Sequence, residues 1–249
     1  VFTHQLDQNV DGKVAFHWFL LSFNGGAINA GGFMATGRFV SHVTGFATLF
    51  GVHLTGSEVG KAFGILSVPL FFLVGAFTAG LLIDRPIHQG KKPHFDWVMG
   101  LCALCLFLAA GGGDIFHLGI FGEMVRLQDS YTLLALLCLA SGLQNGAITS
   151  SSHKSVRSTH LTGLTTDLGL GLAKLVSFDL KQSKYQHEVR ANYLRIGSIA
   201  FFVLGSAFGA WIFLKLGYRG FMLPTAIAAY AAWHGKKAKN AAPLDIKAA

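Results

Sequence analysis

The feature that most constrains this chain is a set of apolar stretches without one charged side chain, at residues 62–83, 97–113, 131–149 and 196–214. Each is close to the roughly 20 residues that a helix, rising about 1.5 Å per residue, needs to cross a hydrocarbon core about 30 Å thick. Residues 14–32 make a fifth stretch, interrupted by Asn24 and Asn29, and a shorter sixth runs from the basic link Lys215-Leu216-Gly217-Tyr218-Arg219 to Trp233. Lipid offers the backbone no hydrogen-bond partner, so helices are the expected conformation. The strict apolar–polar alternation of a membrane β-barrel is absent. Composition agrees, with 52% hydrophobic against 13% charged residues and a mean hydropathy of +0.49. The expected fold is all-α and integral to a membrane: one domain over residues 1–249, built as a six-helix bundle.

Several details fit that environment. The chain has 31 glycines, and pairs such as Gly75 with Gly80 and Gly205 with Gly209 are spaced for close helix packing. Cys102, Cys105 and Cys138 all fall in apolar stretches, where a C-x-x-C pair lacks companion ligands and access, so packing is their expected role. Residues 14–32 lack a convincing cleavage site and precede further spans, so they are expected to be a first helix and not a removable signal.

The formal charge of +8 would suit nucleic acid if it were clustered, but the 20 Lys and Arg are distributed as loops of a membrane protein. With six spans, the amino terminus, residues 84–96, residues 150–195 and the carboxyl terminus share one side and carry 15 of the 20. That asymmetry marks a cytoplasmic face, with both termini inside. The bilayer itself, with its anionic headgroups, is the expected partner of the basic loops, and nucleic acid is not.

An internal repeat divides the chain. Ser41-His42-Val43-Thr44-Gly45 resembles Thr159-His160-Leu161-Thr162-Gly163; upstream, Gly26-Ala27-Ile28 aligns with Gly146-Ala147-Ile148, and downstream Phe71-Phe72-Leu73-Val74-Gly75 aligns with Phe201-Phe202-Val203-Leu204-Gly205. The halves are about 1–118 and 119–249, and three spans per half make two three-helix inverted repeats. The rival arrangement, eight spans with residues 39–54 and 161–180 also crossing, would bury Asp167, Lys174 and Asp179. Those two segments are otherwise free to re-enter or lie at the interface.

The stretches Gly26-Ala27-Ile28-Asn29-Ala30-Gly31-Gly32-Phe33, Ser41 to Gly45, Gly142-Leu143-Gln144-Asn145-Gly146 and Arg157 to Gly163 resemble the signatures of the YoaK-like bacterial membrane proteins, a domain of unknown function. That resemblance covers nearly the whole chain and implies about six spans in the inner membrane, with no activity attached. Many members carry Asp where this chain has Asn29. A second likeness is narrower: Gly80-Leu81-Leu82-Ile83-Asp84-Arg85 with Gly90-Lys91-Lys92 is similar to the cytoplasmic loop motif of major-facilitator transporters, except that residues 86–89 replace a single residue. It implies a gating loop at Asp84 and Arg85, and a homodimer as the smallest unit for alternating access.

Polar groups inside a membrane are costly, and this chain gathers Asn24, Asn29, Gln144, Asn145 and Asp167 around the two repeated motifs. The expected substrate-binding set is His42, Thr44, Asn145, Arg157, His160 and Thr162, with imidazole suited to proton exchange near neutrality and Arg157 favouring an anion. The competing account is packing, with glycine and Thr allowing close approach and each His making one interhelical hydrogen bond. No metal site or cofactor motif is expected, and no acid, base and nucleophile set for an enzyme can be assembled. Two functions follow: a small-solute or ion transporter, or a non-transporting structural or regulatory membrane protein.

Overall fold

The computed structural model describes residues 12–55, 59–112, 120–123, 127–152, 160–177 and 183–241. These form eight α-helices: α1 (Gly12–Thr36), α2 (Val43–Leu54), α3 (Val59–His88), α4 (Phe95–Ala110), α5 (Leu127–Ser151), α6 (Leu161–Ser177), α7 (Ser183–Leu216) and α8 (Met222–Ala241). A 3₁₀ turn, Gly217–Phe221, joins α7 to α8. All six apolar stretches lie in helices, within α1, α3, α5, α7 and α8 and largely within α4, but the bundle is not limited to six. The segments after each His-Thr-Gly motif fold as α2 and α6. With 12 residues, α2 extends only about 18 Å at the usual rise, short of a hydrocarbon core.

Among the described residues, three stretches are long and apolar enough to cross a membrane: Gly64–His88, Tyr131–Ser151 and Gln186–Asn240, the last taking in most of α7 and α8. Their outward faces are apolar. Leu73, Phe77, Val203, Leu204 and Trp211 are all exposed, as suits helices surrounded by lipid and not by water. The chain is built as a helical membrane protein.

The helices pair crosswise. α1 runs along α7 and α3 along α5; α2 rests on α3, α6 on α7, and α4 on both α5 and α8. Glycines set the two long pairings. A Cβ on Gly26 would strike the Phe202 carbonyl, and one on Gly142 would strike that of Phe72; Gly205 meets the Phe23 carbonyl in the same way that Gly75 meets that of Leu139. The two pairings therefore correspond with Gly26 opposite Gly142. That is one helical turn from the register in which Gly26-Ala27-Ile28 aligns with Gly146-Ala147-Ile148.

The Asp84–Arg85 segment differs from the expected loop: both residues belong to the last turns of α3, which continues through Pro86 to His88. Proline has no N–H to give the Leu82 carbonyl, and the backbone N–H of His94 takes that place at 2.9 Å. The helix then closes on Gly90, at φ 67°, with Lys91 N–H donating to Pro86 O at 2.8 Å and Gly90 N–H to Ile87 O at 3.0 Å, the paired bonds of a Schellman end.

The cysteines pack as expected. Cys138 Sγ donates to the Val40 carbonyl at 3.0 Å and Cys102 Sγ to that of Ala140 at 3.4 Å, and all three are free.

Candidate functional site

The repeated motifs each form the head of a short helix. His42 precedes α2, and its ring lies against Gly45, where an added Cβ would come within 3.0 Å of Nδ1. His160 precedes α6, and its ring lies over Gly163 so closely that a Cβ there would overlap it. The glycine in each motif is thus the residue that lets a histidine fold back over the first helical turn. The backbone completes the turn, with Gly45 N–H donating to His42 O at 3.0 Å and Leu164 N–H to His160 O at 3.1 Å. His42, Thr44, His160, Thr162 and Asp167 are exposed, and Asn145 is half-buried. Arg157 lies outside the described residues. Because α2 rests on α3 and α6 on α7, the motifs occupy separate supports.

Around the first motif, Phe39 stacks on Phe33 with centroids 4.5 Å apart and meets His42 edge-on at 6.2 Å. Phe39 and His42, with Arg38, Phe46 and Leu49, border a small cavity of about 90 Å³. Arg38 donates to the Thr36 carbonyl at 3.3 Å, and burial lowers its pKa from the ordinary value. Asn29 anchors the link from within α1, accepting from Ser41 Oγ at 3.1 Å. Near the second motif, α6 is tied to α7 through Glu188, which receives Lys174 at 3.2 Å and Arg195 at 2.7 Å.

The polar residues that do meet in the interior are Asn24 of α1 and Gln144 of α5. Asn24 Nδ2 donates to Gln144 Oε1 at 2.7 Å, and Gln144 Nε2 donates to the Leu21 carbonyl at 2.9 Å. Both side chains are wholly buried, as is Ser22. Asn24 Oδ1 and Ser22 Oγ have no hydrogen-bond partner, so acceptor capacity remains unmet in an apolar interior, where that is costly. Sequence reasoning marked Asn24 and Gln144 as unusual membrane residues but placed the site at the histidines, because the partnership of two helices far apart in the chain leaves no local signature.

A second polar contact, between a buried and a half-buried histidine, lies nearer the helix ends. His17 of α1 stands with its ring centroid 4.1 Å from that of His234 on α8. A histidine inside an otherwise apolar stretch was the available signal, and neither residue belongs to a repeated motif. Among the described residues, no group of three His, Cys, Asp or Glu is arranged to hold a metal ion.

Residues 17–234 match the family model described as a protein of unknown function, DUF1275. The chain belongs to that family. No curated protein and no solved structure matches this DUF1275 chain. The match runs from α1 into α8 and so takes in the Asn24–Gln144 contact and both His-Thr-Gly heads.

Proposed function

We propose that this protein is a small-solute or ion transporter of the bacterial inner membrane, crossing it six times through α1, α3, α4, α5, α7 and α8, with both termini cytoplasmic. In this reading the halves 1–118 and 119–249 are inverted repeats. The matched glycine contacts of the α1–α7 and α3–α5 pairs support it, since two copies of one unit make the same contact twice. The observation that carries the transport reading is the Asn24–Gln144 bond, a wholly buried polar link between the halves with Asn24 Oδ1 unmet. Polar groups inside a membrane are costly, and those that line substrate and ion pathways face the bundle interior as these do. Substrate passes between the halves at this pair, and the exposed heads carrying His42, Thr44, His160 and Thr162 form its approaches, with Asn145 and Arg157 contributing polarity. A homodimer is the working unit.

A second reading, a non-transporting scaffold, draws support from the close approach of the central helices, where a Cβ on Gly26, Gly75, Gly142 or Gly205 would strike facing backbone. Uptake into proteoliposomes from a broad metabolite pool, with and without a pH gradient, separates the two. The parent moves at least one solute, and Gln144→Leu, His42→Ala and His160→Ala reduce that flux while the protein remains folded. A parent that moves nothing favours the scaffold.

A further inference from the structure

We propose that His17 and His234 together hold one exchangeable proton, making the α1–α8 contact a protonation site close to the face from which α1 starts and α8 ends. This stands apart from the transport reading, because it concerns neither Asn24 nor Gln144 and is tested without a substrate.

The tautomer of His17 follows from its neighbour. Its Nδ1 is 2.6 Å from the Lys13 carbonyl, and a carbonyl only accepts, so Nδ1 carries the hydrogen. In the neutral ring Nε2 is then the lone-pair nitrogen. It is wholly buried and has no hydrogen-bond partner. The His234 ring is 4.1 Å away, tilted at 48°, and Tyr230 stacks on the His17 ring at 6.0 Å and 9°. A proton arriving at Nε2 turns an unmet acceptor into a donor beside the face of Tyr230, which favours a cation, while burial and the neighbouring lysines oppose it.

The surroundings limit the site to one proton. On α1 the nearest charged group is Lys13. From α8, Tyr230, His234 and Lys237 face the pair, with the Lys237 ammonium 5.6 Å over the Trp233 ring. From α4, Asp96 sits beside Gly235 and lies 3.8 Å from Lys239. From α7, Arg190 and Tyr193 flank the Phe16 and Phe19 side of α1. Two imidazolium rings this close, with Lys13 and Lys237 adding positive charge, repel strongly. A metal ion is the less suitable occupant, since the described residues supply no third ligand of the usual kind.

The test uses the full chain with ¹⁵N-labelled histidine in lipid nanodiscs, following ring nitrogen signals from about pH 5 to 9, the range in which imidazole titrates, with His17→Gln and His234→Gln supplying the assignments. The expected result is that His17 gains a proton in this range and that His234→Gln changes its proton affinity by about tenfold or more, the mark of a coupled pair. A His17 ring that stays neutral throughout, or titrates identically in His234→Gln, overturns the proposal. Should the variants fail to fold, the parent decides alone: a single step that moves both rings' signals and takes up one proton supports the site, and two rings that each gain a proton independently refute it.

Discussion

Asn24 donates to Gln144 at 2.7 Å across the contact between α1 and α5, with both side chains wholly buried. Truncating one partner strands the other. Asn24→Ala therefore destabilises the protein by about 1–3 kcal/mol, whereas Asn24→Leu combined with Gln144→Leu costs less than the sum of the single changes. Unfolding in detergent across the double-mutant cycle measures this coupling, and additive losses would show that the bond contributes nothing.

The glycine contacts make a sharper forecast. Gly26→Ala and Gly142→Ala each place a Cβ against backbone of the facing helix, which costs about 1–3 kcal/mol when the core cannot give. Gly100 on α4 has nothing within 4 Å of its added Cβ, so Gly100→Ala is neutral or stabilises by up to about 1 kcal/mol through helix propensity. Melting temperatures in one detergent rank the three. Equal effects at Gly26 and Gly100 would refute the close approach of α1 and α7.

The end of α8 is held by the link between α3 and α4. Lys92 Nζ donates to the Lys239 carbonyl at 3.0 Å, and Lys239 Nζ lies 2.7 Å from His94 Nδ1. Lys239→Met keeps the apolar stem and removes the charge. The expected loss of global stability is below about 1 kcal/mol, as for other partly exposed ion pairs, with faster proteolysis confined to the last turn of α8. A large drop in melting temperature would mean that the clasp supports the whole bundle.

Topology is open to direct labelling. Lys91, after α3, and Glu123, in the described segment before α5, lie on opposite sides of the membrane in the six-span reading. With Cys102, Cys105 and Cys138 replaced, Glu123→Cys reacts with an impermeant thiol reagent from outside intact cells and Lys91→Cys reacts only after lysis. The reverse pattern inverts the protein, and labelling of both from outside removes the six-span scheme.

The positions of the long helices were legible in the sequence because hydropathy is a local sum: residues 62–83 are apolar whatever they pack against, and a charge-free run in lipid has helix as its stable backbone. Membership of the DUF1275 family was legible for the same reason, being written in contiguous motifs such as Gly142-Leu143-Gln144-Asn145-Gly146. Tertiary structure decided what depends on a partner. A Cβ on Gly26 or on Gly142 would strike a facing phenylalanine carbonyl, whereas one on Gly146 meets the Ala79 side chain first, and a one-turn change keeps the same helix face, so a short stretch of sequence accommodates either alignment. The exposure of His42 and His160 follows from α2 and α6 resting on α3 and α7, and the meeting of His17 with His234 from the packing of the first helix on the last. Such contacts join residues far apart in the chain, and their energies belong to neither segment alone.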